Sequence, residues 1–501
     1  MAIRTPQEYL QSLRDGRVVY SEGKRVEDVT KDPLLSIGAN GTAWADYALY
    51  AMPEYHDTFV ARDETGEEVS FVFMPSKSAE DLFRRREIIQ LQARMLGGPG
   101  GGKFTGIDAL NSLTLNSRII DQATGSSYTA SVEEYRKFLF KNDPALVVAM
   151  TDAKGDRSLR PGRQVQHKDF YVHIVDETKQ HGQNGIVVRG AKTLISGAPW
   201  ANEAIVVPCR AVVEEDDDYA VVFATPLNAK GIIMISSVEE PAELDNDFDY
   251  PRSSAHFTGS CALIFEDVFV PMERVFLKKE WRYSASFTYV FADFHRVSAD
   301  AYKYPELEIL VGLGALLAEY NGIDKVSRIR DNLAWLMMYA ETVEALGKAA
   351  CQFCVTQPGT DLVYPNPLFS NAAKFMFAEN WHQATKIVQD IAGGLPCNIF
   401  SRKDYFNPET RSLIDKYFAG KDGVATEHRL RAMHLVRDVT SSFDDVITIQ
   451  AEGSLAAQRL SVYMLGDWER YKAAAKRVAR IEDGTSHPVF SKFPKYPPVF
   501  E

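Results

Sequence analysis

Cysteine is scarce in this chain. Five residues among 501, Cys209, Cys261, Cys351, Cys354 and Cys397, make no disulfide framework. Only Cys351 and Cys354 have the C-x-x-C spacing. They lie in an apolar helical run, and one such pair cannot close a four-ligand zinc site, so they read as two thiols of a helix core. The ten histidines include no H-E-x-x-H, and no metal site is expected. Long apolar runs are missing too. Nothing approaches the roughly 18 uninterrupted residues of a membrane span. The start, Met1-Ala-Ile-Arg-Thr-Pro-Gln-Glu-Tyr-Leu10, has no apolar signal core. Nor is there an excess of positive charge: the net charge of −12 argues against a general binder of nucleic acid or anionic membranes. The expectation is a cytoplasmic protein. At 45% hydrophobic and 25% charged, its 501 residues are enough for two or three globular domains.

Glycine, by contrast, is concentrated in one place. Gly97-Gly-Pro-Gly-Gly-Gly-Lys-Phe-Thr-Gly106 comes close to a nucleotide-binding G-x-x-x-x-G-K loop. The hydroxyl that should follow Lys103 is replaced by Phe104, however. The preceding run, Ser78 to Leu96, reads as a helix with a Ser78/Asp81 capping pair, where a phosphate loop would need a strand. The stretch is therefore a joint between helices, and its glycine content needs another reason.

Hydrophobic spacing divides the chain into three. Residues 1–146 are mainly helical: Thr5 caps a helix with Pro6 at its first position, a short turn-and-strand element follows around Val18–Val26, and a capped helix begins at Ser131. Over 147–277 the period becomes strand-like, in runs beginning at Phe170, Gly185, Ala204, Tyr219, Gly231 and Cys261 with turns such as Gln183-Asn-Gly185 between them. Close spacing without helices between predicts an antiparallel barrel or sandwich. Over 278–501 long helices return, at about 306–320, 329–347, 369–392, 426–450 and 454–481, which predicts a bundle. The fold class is α+β, in the order helices, β-domain, helical bundle.

That order resembles the acyl-CoA dehydrogenase-like flavoproteins. The strings Glu8-Tyr-Leu-Gln-Ser-Leu-Arg-Asp-Gly-Arg-Val-Val-Tyr20, Gly185-Ile-Val-Val-Arg-Gly-Ala-Lys192 and Phe265-Glu-Asp-Val-Phe-Val-Pro271 resemble the 4-hydroxyphenylacetate 3-monooxygenase family. Its members include oxygenase components of two-component aromatic hydroxylases and the 4-hydroxybutyryl-CoA dehydratases, which carry FAD and an iron–sulfur cluster. Gly106-Ile-Asp-Ala-Leu-Asn111, Met150-Thr-Asp-Ala-Lys-Gly-Asp-Arg157 and Phe291-Ala-Asp-Phe-His-Arg296 are more similar to the dehydratase branch. By this resemblance the three cluster cysteines fall on Gly100, Phe104 and Tyr302, and the cluster histidine on His295. Cluster irons need thiolate or imidazole ligands, so no 4Fe–4S cluster is expected and radical dehydration is not. The glycine joint would then occupy the place of a cluster-ligand loop. The hydroxylase branch also departs: Val148 stands where its phenol hydroxylases often carry histidine, and Lys103 where they carry arginine.

The resemblance implies an FADH2-dependent monooxygenase, with FMN as an alternative flavin. It implies a separate NAD(P)H-flavin reductase, O2, a small aromatic or heteroaromatic substrate that could bear a carboxylate, and a homotetramer built as a dimer of dimers. The flavin contacts it implies are Met150, Thr151, Asp152, Lys154, Asp156 and Arg157 in one segment, and Ser196 and Gly197 in another. By residue type alone both segments are also ordinary β-turn chemistry. His295 is the candidate base, in the ionisation class that suits proton transfer near neutrality. Lys303 is a candidate to hold a substrate anion or else a solvated surface lysine, Lys103 is a candidate through its match to the hydroxylase arginine, and Tyr302 is a candidate to donate a hydrogen bond or fill the vacated cluster space. Lys421–Arg431, with Thr426 as cap, is a candidate helix N-terminus for a flavin phosphate. The rival readings are a cluster-free FAD enzyme acting as dehydratase or isomerase on a hydroxyacyl- or enoyl-CoA, and a non-catalytic flavin-binding subunit.

Overall fold

The structure is a computed structural model that describes residues 3–98, 100–180, 182–237, 245–255, 259–441, 445, 449, 451–479 and 481. Helix α1, Pro6–Ser12, starts with a complete Thr5/Glu8 capping box. It leads into a hairpin, β1 (Val19–Ser21) and β2 (Lys24–Val26). Helices α2 (Leu35–Thr42) and α3 (Pro53–Phe59) and a second small hairpin, β3 (Val60–Arg62) with β4 (Glu68–Ser70), follow. Three longer helices follow, α4 (Ala79–Leu96), α5 (Phe104–Thr124) and α6 (Tyr128–Asn142), of which α5 and α6 pack on one another. The α6 start lies three residues before the expected Ser131. The Asp121 carboxylate in the last turn of α5 accepts hydrogen bonds from the Tyr128 and Thr129 amides, both at 2.8 Å, and so caps the next helix from outside.

The β-domain comprises β5 (Leu146–Ala149), β6 (His173–Gln180), β7 (Gln183–Lys192), β8 (Glu203–Val206), β9 (Val221–Pro226), β10 (Ile232–Ser237), β11 (Ser260–Pro271) and β12 (Val275–Lys278). Two sheets form, in the orders β2-β1-β10-β11-β7-β6 and β12-β9-β8-β5. Their inner faces meet through Ile186, Val188, Met234, Leu263 and Phe265 on one side and Ala204, Val206 and Phe223 on the other. Two features correct the expectation. The hairpin β1–β2, counted with the N-terminal helices, is part of the larger sheet, because Val19 and Val26 alternate into its core. The domain is also not wholly antiparallel: β1 pairs with β10, and β5 with β8, in parallel. Both pairs are joined by long excursions through other elements, which is what parallel pairing requires.

The C-terminal bundle is built on α7 (Ser284–Tyr320), with α8 (Ser327–Gln352), α9 (Pro367–Ala392), the short α10 (Arg402–Tyr405) and α11 (Pro408–Tyr417), and α12 (Thr426–Thr440). The helix expected at 306–320 is only the second half of α7. The run expected at 426–450 is helical to Thr440, and 442–444, 446–448 and 450 lie outside the described residues. The run at 454–481 is two helices, Leu455–Leu465 and Trp468–Val478, broken at Gly466 where Asp467 caps the second; residue 480 lies outside the described residues. No helix of the described residues is long and apolar enough to cross a membrane.

The glycine joint now has its physical reason. Gly97 ends α4 in the left-handed conformation (φ 74°), and Gly101 needs φ 94°. Gly106 sits where α5 crosses β5 so closely that a Cβ would collide with the Leu146 backbone. The turn and the close approach are structural, and Pro99 lies outside the described residues.

Candidate active site

One face of α7 carries Thr288, Phe291, His295, Ser298 and Tyr302, spaced by three and four residues. The face starts at the β-domain: the Thr288 hydroxyl donates to the Pro208 carbonyl at 3.0 Å. His295 lies seven residues, about 10 Å, further along the helix. Its ring is held between aromatic neighbours, with Phe291 at 4.8 Å and Phe104 of α5 at 6.4 Å between centroids, both stacked. Its Nδ1 lies 2.9 Å from Oδ2 of Asp108 on α5. The second Asp108 oxygen accepts the Ser298 hydroxyl at 2.8 Å. Burial pushes the Asp108 carboxyl above its usual range, against the hydrogen bond and charge of His295 and the Ser298 hydrogen bond. The imidazole is mostly but not fully buried, and its Nε2 makes no hydrogen bond to a described residue.

The positions matched to cluster thiolates are occupied by carbon. The Phe104 and Tyr302 rings lie 5.6 Å apart, and a Cβ at Gly100 would run into the Leu96 side chain. The five cysteines lie on other segments: Cys261 in β11, Cys351 inside α8 and Cys354 just past its end, Cys209 after β8 and Cys397 on the surface. The residues present do not fit a 4Fe–4S cluster. Anaerobically purified protein is expected to contain no stoichiometric iron or acid-labile sulfide; about four irons per chain would overturn this, because that is the content of such a cluster.

Neither candidate lysine is available to a ligand. Lys303 is 1% exposed, and its ammonium is 3.0 Å from Glu452 Oε2 and 3.0 Å from the Tyr302 hydroxyl, which itself bonds Glu452. Burial lowers the Lys303 amine to about 8, and that of neighbouring Lys374, 3.9 Å from Glu452, to about 6. Glu452, itself in the left-handed conformation, is pushed well above the usual carboxyl range by burial. Lys103 is 2% exposed and pairs with Asp143 at 2.6 Å while donating to the Tyr50 hydroxyl at 2.7 Å. It braces the N-terminal domain. Thr426 is not a cap: Ala425 precedes the helix, and the Thr426 hydroxyl points back to the Asp415 carbonyl at 3.5 Å.

The first turn segment pairs with the stretch that leads into the second, some forty residues on in sequence. The Thr193 amide donates to the Thr151 carbonyl at 2.7 Å, and Asp152 bridges Lys192. Within the first segment the roles differ. Asp152 is buried in an ion pair with Lys192 at 2.5 Å, and the same ammonium holds the carbonyls of Met150 and Val207. Asp152 and Met150 therefore brace the turn. Lys154 takes φ 74°, and its carbonyl accepts the Tyr171 hydroxyl. Asp156 folds onto Ser158, and Arg157 is exposed. Gly197 takes φ 76°. The Thr151 and Ser196 hydroxyls are half-buried and make no hydrogen bond to any described residue. This donor set suits a flat polar ring such as a flavin.

Sequence reasoning missed Asp108 and Glu452. Asp108 had a signal, an acid inside the otherwise apolar face of Gly106–Asn111. Glu452 had none, because its partners are about 80 and 150 residues away.

Residues 5–277 match the 4-hydroxyphenylacetate 3-hydroxylase N terminal family, and residues 284–480 its C terminal family. The chain is 30% identical to a 4-hydroxybutyryl-CoA dehydratase/vinylacetyl-CoA-Delta-isomerase of Clostridium aminobutyricum, over 96% of this chain and 100% of that protein. It is 26% identical to the 4-hydroxyphenylacetate 3-monooxygenase oxygenase component of Thermus thermophilus, over 88% and 89%. Among solved structures, an oxygen-tolerant archaeal 4-hydroxybutyryl-CoA dehydratase from N. maritimus superposes with a TM-score of 0.87 at 28% identity, covering 97% of each chain. The α–β–α architecture is thus the acyl-CoA dehydrogenase-like one, and the chain belongs to the 4-hydroxyphenylacetate 3-hydroxylase family.

Proposed function

We propose that this protein is the oxygenase component of a two-component flavin monooxygenase that hydroxylates a small aromatic or heteroaromatic compound. The observation that carries this reading is His295, tethered to Asp108 and stacked between Phe291 and Phe104, with Phe104 and Tyr302 standing where a cluster would need thiolates. A base in an aromatic-walled site suits a planar substrate with an acidic hydroxyl. The Thr151 and Ser196 hydroxyls, beside the backbone of the Met150–Arg157 and Ser196–Gly197 turns, would hold the ring of FAD. When bound in its reduced form, the flavin supplies the electrons and the O2 chemistry. The protein's own part is to exclude water with Phe104, Phe291 and Tyr302, to orient the substrate, and to take its proton at His295 Nε2. The 26% identical Thermus protein is named an oxygenase component, which supports a separate NAD(P)H-flavin reductase as partner. A cytoplasmic homotetramer completes the proposal. With Lys103 and Lys303 engaged by Asp143 and Glu452, the substrate's charge is not matched by either lysine.

A second reading is a cluster-free FAD enzyme acting on a CoA thioester. It is favoured by the 30% identity with a dehydratase/isomerase over nearly the whole chain. The two part on one experiment, in which reduced FAD, O2 and a panel of phenols are supplied. The first reading expects O2 uptake matched by hydroxylated product. Turnover of a 4-hydroxyacyl- or enoyl-CoA, with no product from any phenol, would replace it with the second.

The flavin contact has its own test. Thr151→Val keeps the shape but removes a hydroxyl, and one hydrogen bond contributes about 1 kcal/mol, roughly fivefold in affinity. Anaerobic titration should show weaker binding of reduced FAD with an unchanged melting temperature. An unchanged titration would refute the contact.

A further inference from the structure

We propose that Asp108 is the positioning residue of the site: it fixes His295 in the tautomer that leaves Nε2 bare. The argument is geometric. Burial works against the charge of Asp108, but the Ser298 hydroxyl donated to it, the His295 contact and the Arg85 charge all favour the ionised form. As a carboxylate it can only accept, so the 2.9 Å contact places the proton on Nδ1, and the bond made by one ring nitrogen decides the state of the other. The carboxylate is itself fixed. Its other oxygen takes the Ser298 hydroxyl, three residues beyond His295 on the same helix, so Asp108 ties α5 to α7 at two adjacent points. The ring cannot turn away, since Phe291 and Phe104 stack on it. The charged and titratable groups around the pair come from α4, from α7 itself and from the loop before a later helix. Arg85 of α4 lends Asp108 positive charge while its own donors go to Ser76 Oγ at 3.0 Å and the Val72 carbonyl at 2.6 Å. Tyr302 lies further along α7, and Glu452 acts from the loop before the next helix. None of these takes the place of Asp108 at Nδ1.

The role follows. When a proton arrives at Nε2, the imidazolium forms against a carboxylate already in place, so no group has to reorganise. The proposal rests on the monooxygenase reading only for the identity of the proton's donor. The tautomer itself is a property of the protein alone.

Solid-state 15N NMR of histidine-labelled protein, with His295→Ala used for assignment, reads it directly. The neutral His295 ring of the wild type should be protonated at Nδ1 and bare at Nε2. Asp108→Asn nearly preserves volume, but its amide can donate to Nδ1, and the proton should move to Nε2. The hydroxylation rate should then fall about 10²–10⁴-fold, the usual range for loss of a general base. Flavin affinity should hold, and Asp108→Glu should restore part of the rate. Wild-type His295 protonated at Nε2 would overturn the proposal, and needs no variant to fold. So would an unchanged His295 spectrum in folded Asp108→Asn. If the tautomer moves but no phenol is hydroxylated by the wild type, Asp108 keeps its role and the monooxygenase reading fails.

Discussion

His295→Ala is expected to consume O2 with reduced flavin but to release H2O2 in place of hydroxylated product. The proposed flavin contacts lie on the β-domain turns around Thr151 and Ser196, away from the substituted residue. What the variant removes is the proposed base, and with it the step that would ready the substrate. Loss of a general base costs about 10²–10⁴-fold, so product formation should fall by that factor while O2 uptake falls much less. The fold should survive, because a truncated His295 is partly exposed and faces the site. Its cost is an Asp108 carboxylate left with the Ser298 hydroxyl alone. An O2 electrode with peroxide and product assays decides the matter. Product formation coupled to O2 uptake as in wild type would reduce His295 to a structural residue. Loss of reduced-flavin binding would move it to the cofactor's side of the site.

Lys103→Ala should act on stability and leave flavin binding alone. Its ammonium is enclosed by Asp143, the Tyr50 hydroxyl and the Tyr47 ring at 4.2 Å, with both charged side chains almost fully buried. Removing one member of a buried pair leaves the other charge uncompensated, which typically costs about 3–5 kcal/mol. The first unfolding transition in urea should move to lower concentration, and the double variant Lys103→Met/Asp143→Asn should recover much of the loss, because neither charge then remains. A stable Lys103→Ala with weakened substrate affinity would restore the lysine to the binding site.

The order of the three parts could be read from the chain, because helical and strand periods are local properties and each part is long enough to display its own. The hairpin β1–β2 shows where that stops. Its alternation is visible in Val19 and Val26, but its partner, β10, lies more than 200 residues away, and no local pattern names a partner. The same holds for α6, whose start is set by Asp121 in the helix before it rather than by its own Ser131.

For the site, residue type and family likeness name His295, Thr151 and Ser196 as candidates, and the lack of thiolates at positions 100, 104 and 302 is a matter of sequence alone. A charge, however, has no fixed role until its surroundings are known. Lys103, Lys303 and Asp152 have the chemistry to bind a ligand, and each is engaged instead by an opposite charge within 3.0 Å that folding brings from elsewhere: Asp143, Glu452 and Lys192. The reverse is true of Asp108, an unremarked acid in a helix until α5 packs on α7 and sets it at Nδ1 of His295. Sequence determined which groups this protein owns and which part of the chain holds them. Tertiary structure alone decided which charges neutralise one another and which atom is left free to react, because ion pairing and desolvation depend on distances of a few ångströms between residues that sequence leaves far apart.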